Sequence, residues 1–157
     1  MKRILVPVDF SEYSIEALKV ASQIARKNHY EIILLHLLEL PHQVSDAFGN
    51  SKSIPEIIFF KNKAIEKLEE LMESTFLKGI DVFESVEFNK VDLGVIDASK
   101  KNNVDLIIMG SHGTSGFKEL LVGSNTEKIV RYSSIPVLVI KKETKEFKAT
   151  NFVFASD

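Results

Sequence analysis

The sequence predicts an α/β fold: a doubly wound parallel sheet of five strands, with helices on both faces. Short apolar runs rich in branched side chains recur along the 157 residues, and segments with apolar residues at helical spacing separate them. Strands that alternate with helices in this way favour right-handed βαβ crossovers, and therefore a single parallel sheet.

Each element is predicted from its local pattern, and its boundaries follow from capping and turn residues. The predicted strands are 4–8, 31–38, 80–88, 104–109 and 135–140, and the predicted helices are 12–28, 55–78, 93–103 and 124–133. Ser11 is placed to cap the first helix, and Pro55 suits the first turn of the second, which Gly79 is expected to stop. The strand at 80–88 alternates apolar and polar residues, so we expect it at a sheet edge, and Gly94 is expected to weaken the start of the third helix.

The composition favours one cytoplasmic domain that binds neither nucleic acid nor membrane. A formal net charge of -2 provides no broad basic surface for a phosphate backbone, and no apolar run is long enough to span a bilayer. The N-terminus lacks the features of a signal peptide and the chain has no cysteine, which together fit a reducing cytoplasm.

A glycine-rich stretch between the fourth strand and the fourth helix is the main functional signal. It reads GSHGTSGFKELLVGSNTEK and contains four glycines: Gly110, Gly113, Gly116 and Gly123. Glycine allows positive φ where the strand ends and lets a ligand approach the main chain. Unpaired amides at the start of the next helix, with the hydroxyls of Ser124 and Thr126 as further donors, would then hold phosphate.

A capping box is the competing interpretation of the same residues. Ser124 would cap its own helix while Glu127 reaches back to the cap, and no ligand would be needed. This alternative accounts for Ser124 but leaves the number of glycines unexplained.

The spacing Gly110-x2-Gly113-x9-Gly123-Ser124, directly behind an apolar strand that ends in MG, resembles the nucleotide loop of the universal stress protein family. VPVDFS after the first strand and LLH in the second strand fit this resemblance, which extends from about Arg3 to Lys141. It implies a Rossmann-like sheet with strand order 3-2-1-4-5, and an ATP-binding protein that takes part in the stress response.

The resemblance also implies which residues meet the nucleoside. Asp9 would contact the adenosine through its carboxylate, with Pro7 and Val8 beside it, and Leu37 would contact the adenine. A carboxylate that serves only the turn near Ser11 is the alternative for Asp9.

The phosphate-binding residues are implied in the same way. Met109 and Gly110 would lie under the nucleoside, and Gly113 would face the phosphates. The residues expected to hold the phosphates are Gly123, Ser124, Asn125 and Thr126. The expected ligand is ATP, with ADP or AMP as alternatives, and Mg²⁺ would be coordinated largely by the phosphates and water.

No catalytic residue and no metal ligand on the protein are predicted. The P-loop and dinucleotide patterns are absent, and the adjacency of Ser111 and His112 does not by itself bring their side chains together. The function expected is a nucleotide-dependent stress sensor or interaction module. The alternatives are a slow ATP hydrolase and a dimeric scaffold without nucleotide.

The end of the chain predicts a further organisation. Residues 1–142 form the nucleotide-binding domain and 143–150 a charged linker, while NFVFASD at 151–157 parallels RILVPVD at 3–9. This predicts the first strand of a truncated second repeat in a tandem protein. A homodimer through the last strand, 136–140, is expected because that edge is apolar.

Overall fold

The computed structural model describes residues 2–39, 54–112, 122–141 and 143–150. Along the chain its elements are β1 (Arg3–Pro7), α1 (Glu12–Asn28), β2 (Glu31–Leu38), α2 (Ile54–Met72), a 3-10 helix (Thr75–Leu77), β3 (Val82–Phe88), α3 (Val91–Lys101), β4 (Leu106–Gly110), α4 (Ser124–Tyr132) and β5 (Val137–Ile140). None of the helices within these residues is long and apolar enough to cross a membrane.

The five strands form one parallel sheet in the order β3-β2-β1-β4-β5. The predicted fold class and strand order are therefore confirmed, and β3 lies at an edge as its alternating sequence indicated. The order reverses between β1 and β4, which are neighbours in the sheet although they are far apart in the chain.

Alternate residues of the central strands build two apolar cores, one on each face of the sheet. Ile4 and Val6 pack with α1 and α2, whereas Leu5, Ile107 and Met109 pack with α3 and α4. The strands are apolar on both faces because helices cover both, which is why their sequences do not alternate.

The predicted second helix is too long. It ends at Met72, and the chain continues through the 3-10 helix before Gly79 turns it with φ 77°. This tighter turn brings Leu77 into the core, where it is 2% exposed. Burial of that side chain explains why the helical pattern breaks before Lys78.

Residues of the predicted linker contact the domain. Gln23 in α1 accepts a hydrogen bond from the amide of Phe147 (2.7 Å), and the Phe147 side chain packs against the core beneath α1. The division of the chain into a domain and a linker stays a prediction, and residues 151–157 lie outside the described part of the chain.

Candidate functional site

A cleft of about 390 Å³ opens where the carboxyl ends of β1, β2 and β4 meet. This is the point at which the strand order reverses, and ligands of open α/β sheets bind there. Its lining residues are Pro7, Val8, Asp9, Ser14, Leu35, His36, Leu37, Val91, Met109, Gly110, His112, Gly123, Ser124, Asn125 and Thr126. All the predicted site residues are brought together except Gly113, which lies outside the described residues.

The cleft has two chemically different ends. The strand end is formed by the residues that follow β1 and close β2, from Pro7 to Asp9 and from Leu35 to Leu37. The helix end is formed by His112 and by residues 123–126, where α4 begins.

At the strand end, both the amide and the carbonyl of Val8 are hydrogen-bonded to residues of β2. Its amide donates to the Leu35 carbonyl (2.8 Å), and its carbonyl accepts from Nδ1 of His36 (2.7 Å). A carbonyl can only accept, so Nδ1 of His36 carries a proton. His36 thus fixes the chain where β1 ends, and Val8 contributes shape to the cleft instead of free backbone groups.

The carboxylate of Asp9 organises the start of α1. Its Oδ1 accepts from the amide and hydroxyl of Ser11, at 3.0 and 2.5 Å, and the Ser11 hydroxyl in turn accepts from the amide of Ser14. The turn role considered for Asp9 is therefore present. Because a carboxylate has two acceptor oxygens, this role is compatible with a ligand contact in the cleft.

Phe10 makes the sharp turn that separates Asp9 from the helix. Its φ is 63°, a conformation that bulky side chains rarely adopt. The ring lies 4.9 Å from the His36 ring and beneath the ammonium group of Lys67, at 5.2 Å from the centroid. These contacts offset the cost of the strained backbone, which sits directly beside the cleft.

Gly94 in α3 lies next to the side chain of Leu37 in β2. A Cβ atom at Gly94 would lie 2.5 Å from Cδ2 of Leu37, so a larger residue there would displace the flexible end of the Leu37 side chain. Gly94 is buried near the start of α3, and the expectation that it weakens the helix start did not include this packing role. The position of Leu37 in the cleft depends on it.

Gly110 is required for packing rather than for backbone freedom. Its φ is not positive, contrary to expectation, and an added Cβ would lie 2.8 Å from the Tyr13 carbonyl carbon. The backbone of α1 therefore crosses β4 in contact with this glycine. Gly123 also has an ordinary φ, of -60°.

Backbone hydrogen bonds hold the helix end of the cleft against the end of β4. Ser111 donates its amide to the Ile140 carbonyl of β5 (2.9 Å) and accepts from the amide of Gly123 (2.8 Å). The chain thus leaves the sheet at Ser111 and returns beside it at Gly123, which places the start of α4 next to the end of β4.

The capping-box interpretation is wrong. The N-cap of α4 is Gly123, which has no capping side chain, and Glu127 pairs with Arg131 at 3.1 Å instead of reaching back. The helix begins with Ser124, Asn125 and Thr126, and the amides of these three residues have no intrahelical partner. The helix dipole adds positive potential at the same place.

Thr126 has a different role from the one expected. Its side chain is buried, and its hydroxyl donates to the Gly110 carbonyl at 3.2 Å. That hydroxyl proton is already used to join α4 to β4. Of the two expected hydroxyl donors, Ser124 is the one that is solvent-exposed.

An ion pair joins α3 to α4 beside the cleft: Lys128 Nζ lies 3.2 Å from Asp92 Oδ2. Burial raises the pKa of Asp92, but the hydrogen bond from Lys128, the amide of Leu93 and the charge of Lys128 outweigh this effect. Together they hold the pKa of Asp92 below its ordinary value of 3.8.

Sequence reasoning did not assign five of the lining residues: Ser14, Leu35, His36, Val91 and His112. Leu35 and His36 precede Leu37 on the same strand end, so their position was a usable signal. Val91 and Ser14 enter the cleft through helix packing, for which the sequence offers no local sign. Within the described residues there is no group of three or more histidine or acidic side chains that could hold a metal ion.

The chain belongs to the universal stress protein family, whose family model matches residues 1–141. The resemblance found in the glycine spacing and the strand ends is thereby confirmed at the level of the family.

Individual relatives agree with this assignment. Universal stress protein MJ0577 of Methanocaldococcus jannaschii is 34% identical over 158 residues, covering 90% of this chain and 96% of the relative. The solved structure of MJ0577 is similar with a TM-score of 0.76 at 31% identity, covering 92% of this chain and 98% of that one. A universal stress protein from Archaeoglobus fulgidus, solved in complex with dAMP, has a TM-score of 0.64 at 20% identity, covering 90% and 98%.

Proposed function

We propose that this protein binds an adenine nucleotide, with ATP as the main ligand, and acts as a nucleotide-dependent sensor or interaction module in the stress response. The observation that carries the proposal is the uncapped start of α4, which opens into a cleft at the carboxyl ends of β1, β2 and β4. An anion is the ligand that satisfies such a helix start.

The helix end supplies a phosphate site made of backbone. Among the described residues no side chain caps the first amides of α4, and the N-cap glycine carries no side chain that would block an oxygen from approaching them. None of the lining residues within the described part of the chain is lysine or arginine. Phosphate is therefore held there by amides and the helix dipole, with Ser124 as an added hydroxyl donor.

The strand end supplies a nucleoside site. Leu37, Met109 and Val91 provide apolar surface for a base, and Asp9 provides a carboxylate suited to ribose hydroxyls. A mixed apolar and polar cleft of about 390 Å³ is within the range that small ligands occupy. The A. fulgidus structure with dAMP supports an adenine nucleotide as the ligand class.

The proposal is binding and signalling rather than turnover. Mg²⁺ would enter with the phosphates, coordinated by them and by water. The Ser111 hydroxyl and His112 Nδ1 lie 3.0 Å apart, but Ser111 is 1% exposed and does not line the cleft. A buried serine outside the cleft is poorly placed for nucleophilic attack, so slow hydrolysis stays the lesser alternative.

We further propose that the protein forms a homodimer through residues 136–140. β5 is an edge strand of the described sheet, and its residues Val137 to Val139 are only half-buried in a single copy. Pairing with a second copy would cover this apolar edge. Nucleotide-dependent change in that pairing is one way in which the bound state would be read out.

The test uses Gly123→Asp with Gly123→Ala as its matched control. Aspartate is a good N-cap, so its carboxylate should occupy the open amides and keep or raise stability while repelling phosphate. The added Cβ would lie 3.3 Å from the Ser111 carbonyl oxygen, a contact that both variants share.

Calorimetric titration with ATP should show that Gly123→Asp weakens binding at least about tenfold, whereas Gly123→Ala stays close to the parent protein. Thermal unfolding should show no loss of stability for the aspartate variant. If Gly123→Asp binds ATP as tightly as the parent protein, the helix start is not part of the binding site. A parent protein that binds no ATP would overturn the proposed function.

A further inference from the structure

Two helices begin at the rim of the cleft, and they differ in what meets their first amides. α4 begins at Ser124, behind an N-cap glycine that has no capping side chain. α3 begins at Val91, which also lines the cleft, and the side chain of its N-cap Lys90 does not cap it either. The two helix starts would attract a phosphate equally if nothing else met their amides.

At the start of α3, carboxylates of the protein meet these amides. The amide of Val91 donates to Oε1 of Glu39 (3.1 Å), a residue that follows β2 and is distant in the chain. The Asp92 carboxylate accepts hydrogen bonds from the backbone of Leu93 and of Asp92 itself. Both acids lie where the helix dipole favours negative charge. The protein's own anions therefore occupy the start of α3.

Glu39 contributes the negative charge that is not offset at this place. Asp92 pairs with Lys128 at 3.2 Å, whereas Glu39 is exposed and forms no ion pair within the described residues. A phosphate that approached the start of α3 would meet a like charge, and the amide of Val91 would already be used. Specific sites often include such a repulsive element beside their attractive ones.

The start of α3 lies beside the strand end of the cleft. Glu39 is two residues after Leu37 in the chain, and a Cβ at Gly94, near the start of α3, would lie 2.5 Å from the Leu37 side chain. The start of α4 forms the helix end. A nucleotide that lay in the reverse direction would bring its phosphates towards Glu39 and its base towards the amides of α4.

We propose that Glu39 is a specificity-determining residue, which closes the start of α3 to phosphate and thereby fixes the direction in which an adenine nucleotide lies in the cleft. The inference rests on the proposed function, because it takes the start of α4 to be the phosphate end. Adenosine carries no phosphate, so its affinity should not depend on the charge of Glu39.

Inorganic triphosphate probes the two helix starts without a base that orients it. It is titrated into the protein while NMR follows the amide signals of α3 and α4, and thermal unfolding checks that each variant is folded. Glu39→Ala removes the charge and frees the Val91 amide, whereas Glu39→Gln removes the charge but keeps an acceptor oxygen. Glu84→Ala is the matched control, because Glu84 is exposed on β3 and does not line the cleft.

In the parent protein, triphosphate should shift the amide signals of 124–126 and leave that of Val91 in place. In Glu39→Ala the Val91 signal should respond with an affinity at least about tenfold higher than in the parent protein, and Glu39→Gln should show part of this gain. A Val91 signal that ignores triphosphate in Glu39→Ala would overturn the inference. So would an equal response of both helix starts in the parent protein, or the same gain in Glu84→Ala.

ATP with Mn²⁺ tests the direction of the nucleotide itself. Mn²⁺ bound to the phosphates broadens the signals of nearby nuclei, so in the parent protein it should broaden the amide signals of 124–126 and not those of 91–93. Glu39→Ala should also broaden 91–93, at an unchanged affinity for adenosine measured by calorimetry. Broadening of 91–93 in the parent protein, or none there in Glu39→Ala, would refute the role of Glu39 and leave nucleotide binding intact. A parent protein that binds neither ATP nor triphosphate overturns both proposals.

Discussion

The two ends of the cleft differ in how much of their hydrogen bonding the protein completes by itself. At the strand end, Val8 is paired with β2 through both its amide and its carbonyl, and Asp9 is paired with Ser11. At the helix end, no described side chain caps the first amides of α4, and Nε2 of His112 is buried without a hydrogen-bond partner among the described residues. The fold therefore completes the hydrogen bonding of the strand end by itself, whereas the helix end keeps donors that the proposed ligand would meet.

This difference has an energetic consequence. A nucleoside surface made by packing changes little when a ligand arrives, so it mainly sets which base fits. Open donors in a partly buried place are costly until an acceptor meets them, so they contribute most to affinity. We expect substitutions to separate these two effects.

The largest expected effect is at Gly110, where the two ends meet. Gly110→Ala should lower the free energy of unfolding by about 3 kcal/mol, because the Cβ would lie 2.8 Å from the α1 backbone at Tyr13. Urea unfolding measures the loss, with Gly123→Ala as the control in a roomier place. If Gly110→Ala kept its stability and lost only nucleotide affinity, the glycine would serve the ligand and not the packing.

A smaller and more selective effect is expected at the strand end. In Gly94→Ala the new Cβ meets only the flexible end of Leu37 and the Asn89 Cβ, and alanine favours helix by up to about 1 kcal/mol. The free energy of unfolding should thus fall by roughly 1 kcal/mol or less. Leu37 must move, so adenosine affinity should fall several-fold.

The double variant Gly94→Ala with Leu37→Ala isolates this contact. If the displaced Leu37 side chain causes the loss, the two changes will not be additive, and a calorimetric double-mutant cycle measures the coupling. Additive losses would show that Gly94 does not act through Leu37.

The smallest effect is expected at the Asp92 and Lys128 pair beside the helix end. Because the pKa of Asp92 is lowered in the folded protein, its contribution to stability is present above its ordinary value of 3.8 and is lost as the pH falls through the lowered value. Lys128 is half-exposed, so the contribution at neutral pH should be under about 1 kcal/mol. Asp92→Asn should lose this much at pH 7 and almost nothing near pH 2, as followed by urea unfolding. Equal losses at both pH values would mean that charge is not the cause.

Much of the fold could be predicted because its signals are local. Buried strands appear as short apolar runs, and the cap at Ser11 was identified correctly as the start of α1. The long helix was overextended because Leu77 leaves the helical path to enter the core, which depends on distant side chains. The start of α4 at Ser124 was predicted correctly, but the capping box would have made Ser124 the cap, whereas the N-cap is Gly123.

The predicted site residues within the described chain line one cleft, but several of them have packing roles that were not expected, and their contacts with a ligand stay a prediction. Strand ends of a parallel sheet meet at one edge, so Asp9, Leu37 and the start of α4 could be brought together without coordinates. The roles of Gly110 and Gly94 could not, because a close contact between a helix and a strand has no signature in either segment. His112 was likewise not assigned to the site, although it lines the cleft.

The order of strands and helices, the family and most of the residues that share the cleft could be predicted from the sequence, since each depends on local patterns and on rules of parallel sheets. Which polar groups lack a partner within the protein depends instead on the folded structure. Whether Thr126 donates to Gly110, or whether Nε2 of His112 finds a partner, depends on atoms that approach from other elements. Hydrogen-bond satisfaction is a property of the assembled neighbourhood, so it emerges only when all of its parts are in place.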